Sequence, residues 1–160
     1  MNSPAGERPE RKWLTWIFHL IFRFTRPMTL GVRAVVLDGE GRVFLVRHTY
    51  VPGWHLPGGG VEAGETLEQA MAKELREEGN IVPTGPMQLN GVCFNAHVSA
   101  RDHVAVFVVR QFLQSGLRLP DREIAETGFF PLDALPERTT KGTRRRLAEV
   151  QAGQPAASFW

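Results

Sequence analysis

Apolar positions fall into three kinds of run along the chain. Over residues 13–24 they are almost continuous, and the few polar residues, Thr15, His19, Arg23 and Arg26, recur at helical spacing. This predicts a helix that is apolar around most of its circumference, with one narrow polar stripe. From Thr29 the runs shorten and fill with β-branched residues: 30–37 and 43–47 flank Asp38-Gly39-Glu40-Gly41 and predict a β-hairpin. Further strands are predicted at 54–56, 87–96, 103–113 and 128–130. Helical periodicity returns at 67–79, between a Thr66/Gln69 capping box and a Gly79-Asn80 stop, and again at 140–151. Strands and helices mixed in this way predict an α/β sandwich with a mixed sheet. Residues 1–9 and the tail after Ala152 carry no such pattern and read as loose.

The N-terminal run is too short to span a bilayer, which takes about 20 apolar residues, and no small-residue cleavage site follows it as in a signal peptide. A helix so apolar has to be covered. Three covers are open: its own domain, a second copy in a homodimer, or a membrane interface, where flanking Arg11, Lys12 and Arg26 beside aromatic residues are favoured. The expected organisation is a tail and apolar helix at 1–27, a central α/β domain at 28–137, and a basic helix and tail at 138–160.

Charge sharpens this division. The total of 19 Lys+Arg and 17 Asp+Glu gives only +2, but residues 1–29 carry five basic and two acidic side chains and 138–160 carry five and one. The middle, 30–137, holds nine basic and fourteen acidic residues, a net −5. An acidic domain argues against a nucleic-acid partner, and the basic run at 141–146 reads as a solvated helix face. A single cysteine, Cys93, excludes an internal disulfide framework and fits a reducing, cytoplasmic setting.

The chemistry concentrates between Trp54 and Ile81. Pro57, Gly58, Gly59 and Gly60 end a strand, a loop carries Glu62 and Glu65, and the capped helix carries Glu74, Glu77 and Glu78. Spacings of three and four residues put these last carboxylates on one flank of the helix. Three clustered anions repel one another unless a cation intervenes, and all-oxygen ligands suit Mg²⁺, which keeps several waters and is shared with substrate phosphates. Consecutive glycines let backbone approach a metal or ligand closely.

Gly59, Glu65, Lys73-Glu74-Leu75, Glu77-Glu78 and Ile81 resemble the Nudix box of the MutT-like hydrolases: seven of the nine specified positions over 59–81 match. The lead-in from Trp54 and the stretch 129–136 are also similar, so the likeness covers roughly 28–137 and leaves the N-terminal helix unexplained. The resemblance implies a Nudix-like α/β/α sandwich and hydrolysis of a nucleoside diphosphate linked to another moiety, with water attacking phosphorus. It implies Mg²⁺ or Mn²⁺ held by Glu74, Glu77, Glu78 and the Gly58 carbonyl, with Glu65 steadying the loop. Lys73 stands where the box has Arg, and Asn80 where it has Gly. Lys offers a point charge without the planar fork, so a slower or altered enzyme is expected. Asn tolerates a left-handed cap nearly as well as Gly.

The family's general base varies, and a Glu on a later loop takes part in several members. Glu123 and Glu126 are the candidates, and Glu123 is favoured because it lies six residues before Phe129. Glu77 and Glu123 are thus the carboxylates on which turnover is expected to depend. For substrate contacts, Arg33 and Arg47 could meet phosphates, and Tyr50, Trp54, Phe129 and Phe130 offer stacking surfaces; each of these has a plain alternative as core or solvated face. Two other functional classes stay open, a Nudix-fold module that binds a nucleotide without cleaving it, and a membrane-peripheral diphosphatase docked through 13–24 and acting on a lipid-linked substrate.

Overall fold

The computed structural model describes residues 17, 20–22 and 24–160. The helix expected over 13–24 therefore lies largely outside the described residues. Among the described residues no helix is long and apolar enough to cross a membrane.

Seven strands and two helices follow in order: β1 (Thr29–Val36), β2 (Val43–His48), α1 (Leu67–Gly79), β3 (Ile81–Pro83), β4 (Gln88–Phe94), β5 (Asp102–Val109), β6 (Phe112–Gln114), β7 (Ile124–Phe130) and α2 (Lys141–Gln151). β5 lies between β1, its parallel neighbour, and β4, its antiparallel one, so the sheet is mixed. β2 pairs antiparallel with β7, and the short β3 with β6.

Alternation along β1 divides the core. Val32, Ala34 and Val36 point to one side and pack with Ala70, Met71 and Leu75 of α1, while Val35 and Leu37 point to the other and pack with Trp54, Leu56 and Leu147 of α2. Helices thus cover both faces, giving the α/β/α sandwich. With neither face open to water, Val104 to Val109 of β5 are all buried, a continuous apolar run of the kind found in covered strands.

α1 is bounded as its residues dictate. Thr66 Oγ1 accepts from the Gln69 N–H at 3.1 Å and Gln69 Oε1 accepts from the Thr66 N–H at 2.9 Å. At the other end Asn80 takes the left-handed conformation, φ 52° and ψ 31°, as the cap.

Several expectations need correction. The turn at 38–41 closes, with Asp38 N–H donating to the Arg42 carbonyl at 3.0 Å, but its strands part after the single Leu37–Val43 bridge. The predicted hairpin does not form because both strands find other neighbours: β1 pairs with β5 and with the glycine loop, and β2 with β7. The strand expected over 103–113 breaks at Arg110 and Gln111 into β5 and β6. The tail after Ala152 is not loose either. The Ala156, Phe94 and Trp160 N–H groups donate respectively to Asn90, Ser158 and Phe94 carbonyls at 2.9, 2.7 and 3.1 Å, so the tail runs parallel along the free edge of β4.

Candidate active site

The glycine loop is laid against β1 as an added strand. Val32 N–H donates to the Gly59 carbonyl at 2.9 Å, Ala34 N–H to Pro57 at 3.0 Å, and Val61 N–H to Leu30 at 2.8 Å. Gly58, at φ 144°, approaches β1 so closely that a Cβ there would fall on the Val32 carbonyl. The same loop meets α1 on its other side. Gly58 N–H donates to Glu78 Oε2 at 2.7 Å, and a Cβ on Gly59 would lie 2.5 Å from Glu74 Oε1. Glycine is required at 58, where the Val32 backbone occupies the space a side chain would need, while at 59 a side chain would displace the Glu74 carboxylate from its present place.

Lys73 ties the loop to the helix. Its Nζ donates to Glu65 Oε1 and Oε2 at 2.9 and 3.2 Å and stands 3.4 Å from Glu62 Oε1. Glu65 in turn accepts from the Glu62 N–H at 3.0 Å. That N–H and Lys73 hold the Glu65 carboxyl below its usual range, and Glu65 raises the Lys73 ammonium.

The helix carboxylates behave differently. Burial pushes Glu78 up to about 7, with the Gly58 N–H and Arg33 pulling against it and the charges of Glu74 and Glu123 adding to it. Burial also raises Glu74, followed by repulsion from Glu77. His48 Nε2 stands 3.6 Å from Glu78 Oε1, and burial, aided by the charge of Arg33, holds this imidazole down at about 4. Glu77 is exposed, and its backbone carbonyl accepts from Arg118 Nε at 2.7 Å.

Arg118 also pairs with Asp121, whose Oδ1 accepts from the Glu123 and Ile124 N–H groups, each at 2.8 Å. This chain of contacts fixes the loop carrying Glu123 to the end of α1. Glu123 comes within electrostatic range of Glu78, whereas Glu126 is spent on Arg47, with Nη2 and Oε2 2.8 Å apart. The two loop carboxylates that the sequence left in competition are thereby separated.

The residues named for substrate contact divide too. Arg33 donates through Nη1 to the Leu56 carbonyl at 2.9 Å, and its charge is felt at Glu74 and Glu78, so it stands beside the box. Arg47 lies on the β2–β7 ladder with its guanidinium carbon 5.9 Å from the Trp54 ring. Trp54 and Phe129 belong mainly to the packing of the core: Trp54 is buried edge-on to Phe130 and only borders a hollow with Arg47, His48 and Tyr50, and Phe129 lies between Phe44 and Phe112.

A cleft of about 540 Å³ opens beside the box. Arg33, Gly59 and Gly60 line it together with Asn95 and His97 from between β4 and β5, Thr143 of α2 and Trp160 of the tail. His48, Arg118 and Trp160 had no signal in the sequence, since each reaches the site through a partner distant along the chain, and Asp121 joins it through its neighbour Arg118.

The donor set suits a hard divalent cation. It consists of oxygens, two of its carboxylates are raised by burial, and among the described residues no hydrogen bond takes the Gly58 carbonyl oxygen. Among the described residues no three His, Cys, Asp or Glu side chains close around a metal by themselves.

Fold and box together define a protein built on a loop–helix carboxylate clamp at the edge of an α/β/α sandwich. The chain belongs to the NUDIX domain family, whose model matches residues 27–150. It is 31% identical over 112 residues to an ADP-ribose pyrophosphatase of Methanocaldococcus jannaschii, a match covering 65% of each chain. The chain spans less than two thirds of the length of the curated relatives it matches first. Among solved structures, a MutT NUDIX hydrolase from Burkholderia pseudomallei superposes with a TM-score of 0.65 at 29% identity, covering 76% of this chain and 97% of that one. A MutT protein from Methanosarcina mazei, 20% identical with a TM-score of 0.66 over 80% of this chain and 96% of its own, shares the fold.

Proposed function

We propose that the protein is a metal-dependent pyrophosphohydrolase that cleaves the phosphoanhydride bond of a nucleoside diphosphate joined to a second group, with ADP-ribose-like compounds as the leading class. The observation that carries this reading is the pinning of Glu78 and Glu74 against Gly58 and Gly59, where burial raises both carboxyls. Such groups have most to gain from a cation.

Glu74, Glu77, Glu78 and the Gly58 carbonyl would hold Mg²⁺ or Mn²⁺, which supplies charge neutralisation at the diphosphate and makes the attacking water more acidic. The protein does the rest. Lys73 and Glu65 keep the glycine loop at a fixed distance from α1. Arg33 offers its remaining donors to phosphate oxygens entering the cleft. Glu123, held by Asp121 and Arg118, takes a proton as the water oxygen bonds to phosphorus and the anhydride bond breaks, giving two phosphorylated products.

The ADP-ribose pyrophosphatase among the relatives supports this substrate class. The test is a panel of ADP-ribose, nucleotide sugars and nucleoside triphosphates with Mg²⁺ or Mn²⁺. Hydrolysis that is abolished by chelation and strongly reduced in Glu77→Gln is expected. Undiminished turnover in Glu77→Gln would remove the mechanism, and silence over the whole panel would favour a module that binds without cleaving.

A further inference from the structure

We propose that Trp160, brought to the cleft by the strand that the tail adds to β4, determines specificity by stacking against the base of the bound nucleotide. The inference rests on the reading above that the box end of the cleft receives a diphosphate.

Four observations meet at this residue. Trp160 is half-buried, so part of the indole is covered and part faces the cleft that it lines with Gly59, Gly60 and Arg33. Its backbone is fixed, because its N–H donates to the Phe94 carbonyl at 3.1 Å and its carbonyl oxygen accepts from Arg145 Nη1 at 3.1 Å. Its ring is fixed as well: the guanidinium carbon of fully buried Arg146 stands 5.5 Å from the ring centroid, and Arg146 Nη1 donates to the Phe159 carbonyl at 3.3 Å. Finally, a Cβ on Gly142 would collide with the indole nitrogen, so the bare backbone of α2 makes room for the ring.

The cleft has the size of a small-molecule site, and the glycine loop and Trp160 line the same cleft, so a nucleotide whose diphosphate sits at the loop has the indole within the same cavity. Of the aromatics named from the sequence, Trp54 is buried, Phe129 and Phe130 pack against the core clusters, and exposed Tyr50 lies against His48; none of them lines this cleft. Trp160 packs against the core cluster around Val35 and Leu147 with Arg146 over its ring, and the part of the indole that lines the cleft is immobilised before the ligand arrives, so little ordering remains to oppose stacking.

The experiment compares binding of AMP and ribose 5-phosphate, which differ by the base, to the full chain and to Trp160→Ala and Trp160→Phe, by calorimetry, with melting temperatures recorded for each protein. Trp160→Ala should weaken AMP binding roughly tenfold, the lower part of the range for loss of a base–aromatic stack. It should do so much more than it weakens ribose 5-phosphate, while Trp160→Phe restores most of the preference for AMP. An unchanged AMP affinity in Trp160→Ala, equal losses for the two ligands, or no AMP binding by the parent protein would overturn the proposal. Hydrolysis is scored separately: if AMP binding depends on Trp160 but no substrate is cleaved, the catalytic reading fails and this one stands.

Discussion

Lys73 of α1 holds Glu65 of the preceding loop at two points, with Nζ 2.9 Å from Oε1 and 3.2 Å from Oε2. A lysine thus performs the bracing that the Nudix box assigns to arginine, by sitting between both oxygens of one carboxylate and near a second, Glu62. Contacts that orient a metal site from behind commonly matter by 10–100-fold. Lys73→Met should therefore lower kcat/KM by about tenfold or more and weaken Mg²⁺ binding, whereas Lys73→Arg should preserve both. Steady-state kinetics across a Mg²⁺ titration read the two effects together.

The separation of Glu123 from Glu126 leads to a paired prediction. Glu123→Gln should lower kcat by about 10²-fold, the ordinary scale for loss of a general base, with KM little changed. Glu126→Gln, which removes only an exposed pair with Arg47, should stay within about threefold of the parent, in line with the small worth of surface ion pairs. Equal effects in the two variants would show that Glu123 is not the base.

Glu78 makes metal binding depend on pH. In the folded protein its carboxyl is pushed up to about 7 from an ordinary 4.5, so without metal it holds a proton between those values that the unfolded chain releases. That proton stabilises the metal-free fold on the acid side, and the contribution is lost as pH rises through 7. A cation must displace the same proton. The rise in melting temperature produced by Mg²⁺ should accordingly be large at pH 8 and shrink steadily toward pH 6, and in Glu78→Gln the dependence over this interval should flatten.

Arg146 is fully buried, donating to Glu149 Oε1 at 2.7 Å, to Cys93 Sγ at 2.7 Å and to the Phe159 carbonyl. Removing one partner of a buried pair leaves the other charge uncompensated, at a cost of about 3–5 kcal/mol. Arg146→Ala should lose that much in urea denaturation and also release the tail from β4. The double variant Arg146→Met, Glu149→Leu should lose less, since no stranded charge remains.

The sequence alone located the chemistry because the box is local. Glu74, Glu77 and Glu78 share a flank by helical spacing, the Thr66/Gln69 box starts that helix and Asn80 ends it, and all of this is written within one continuous stretch, 66–80. The position of β4 was legible from its own run, but of β7 only 128–130 was, because Glu126 and Thr127 interrupt the apolar pattern and the strand is completed by pairing with β2. Which strand neighbours which was not: the turn at 38–41 looks like a hairpin from either side, yet β1 and β2 part to pair with β5 and β7.

The tail shows the same limit more sharply. Gln154, Pro155, Ala156 and Ala157 carry no periodicity, because an added edge strand needs backbone hydrogen bonds and hardly any side-chain pattern, and those bonds are supplied by β4 some sixty residues earlier. The sequence by itself determined the clustered carboxylates, the glycines they approach and the helix that carries them. Only the tertiary structure decided that Glu123 faces Glu78 while Glu126 faces Arg47, that Trp54 and Phe129 are core, and that Trp160 walls the cleft. The physical reason is that helix capping and carboxylate spacing are local energies, whereas strand pairing and ion-pair choice depend on which distant groups the packed core brings within a few ångströms.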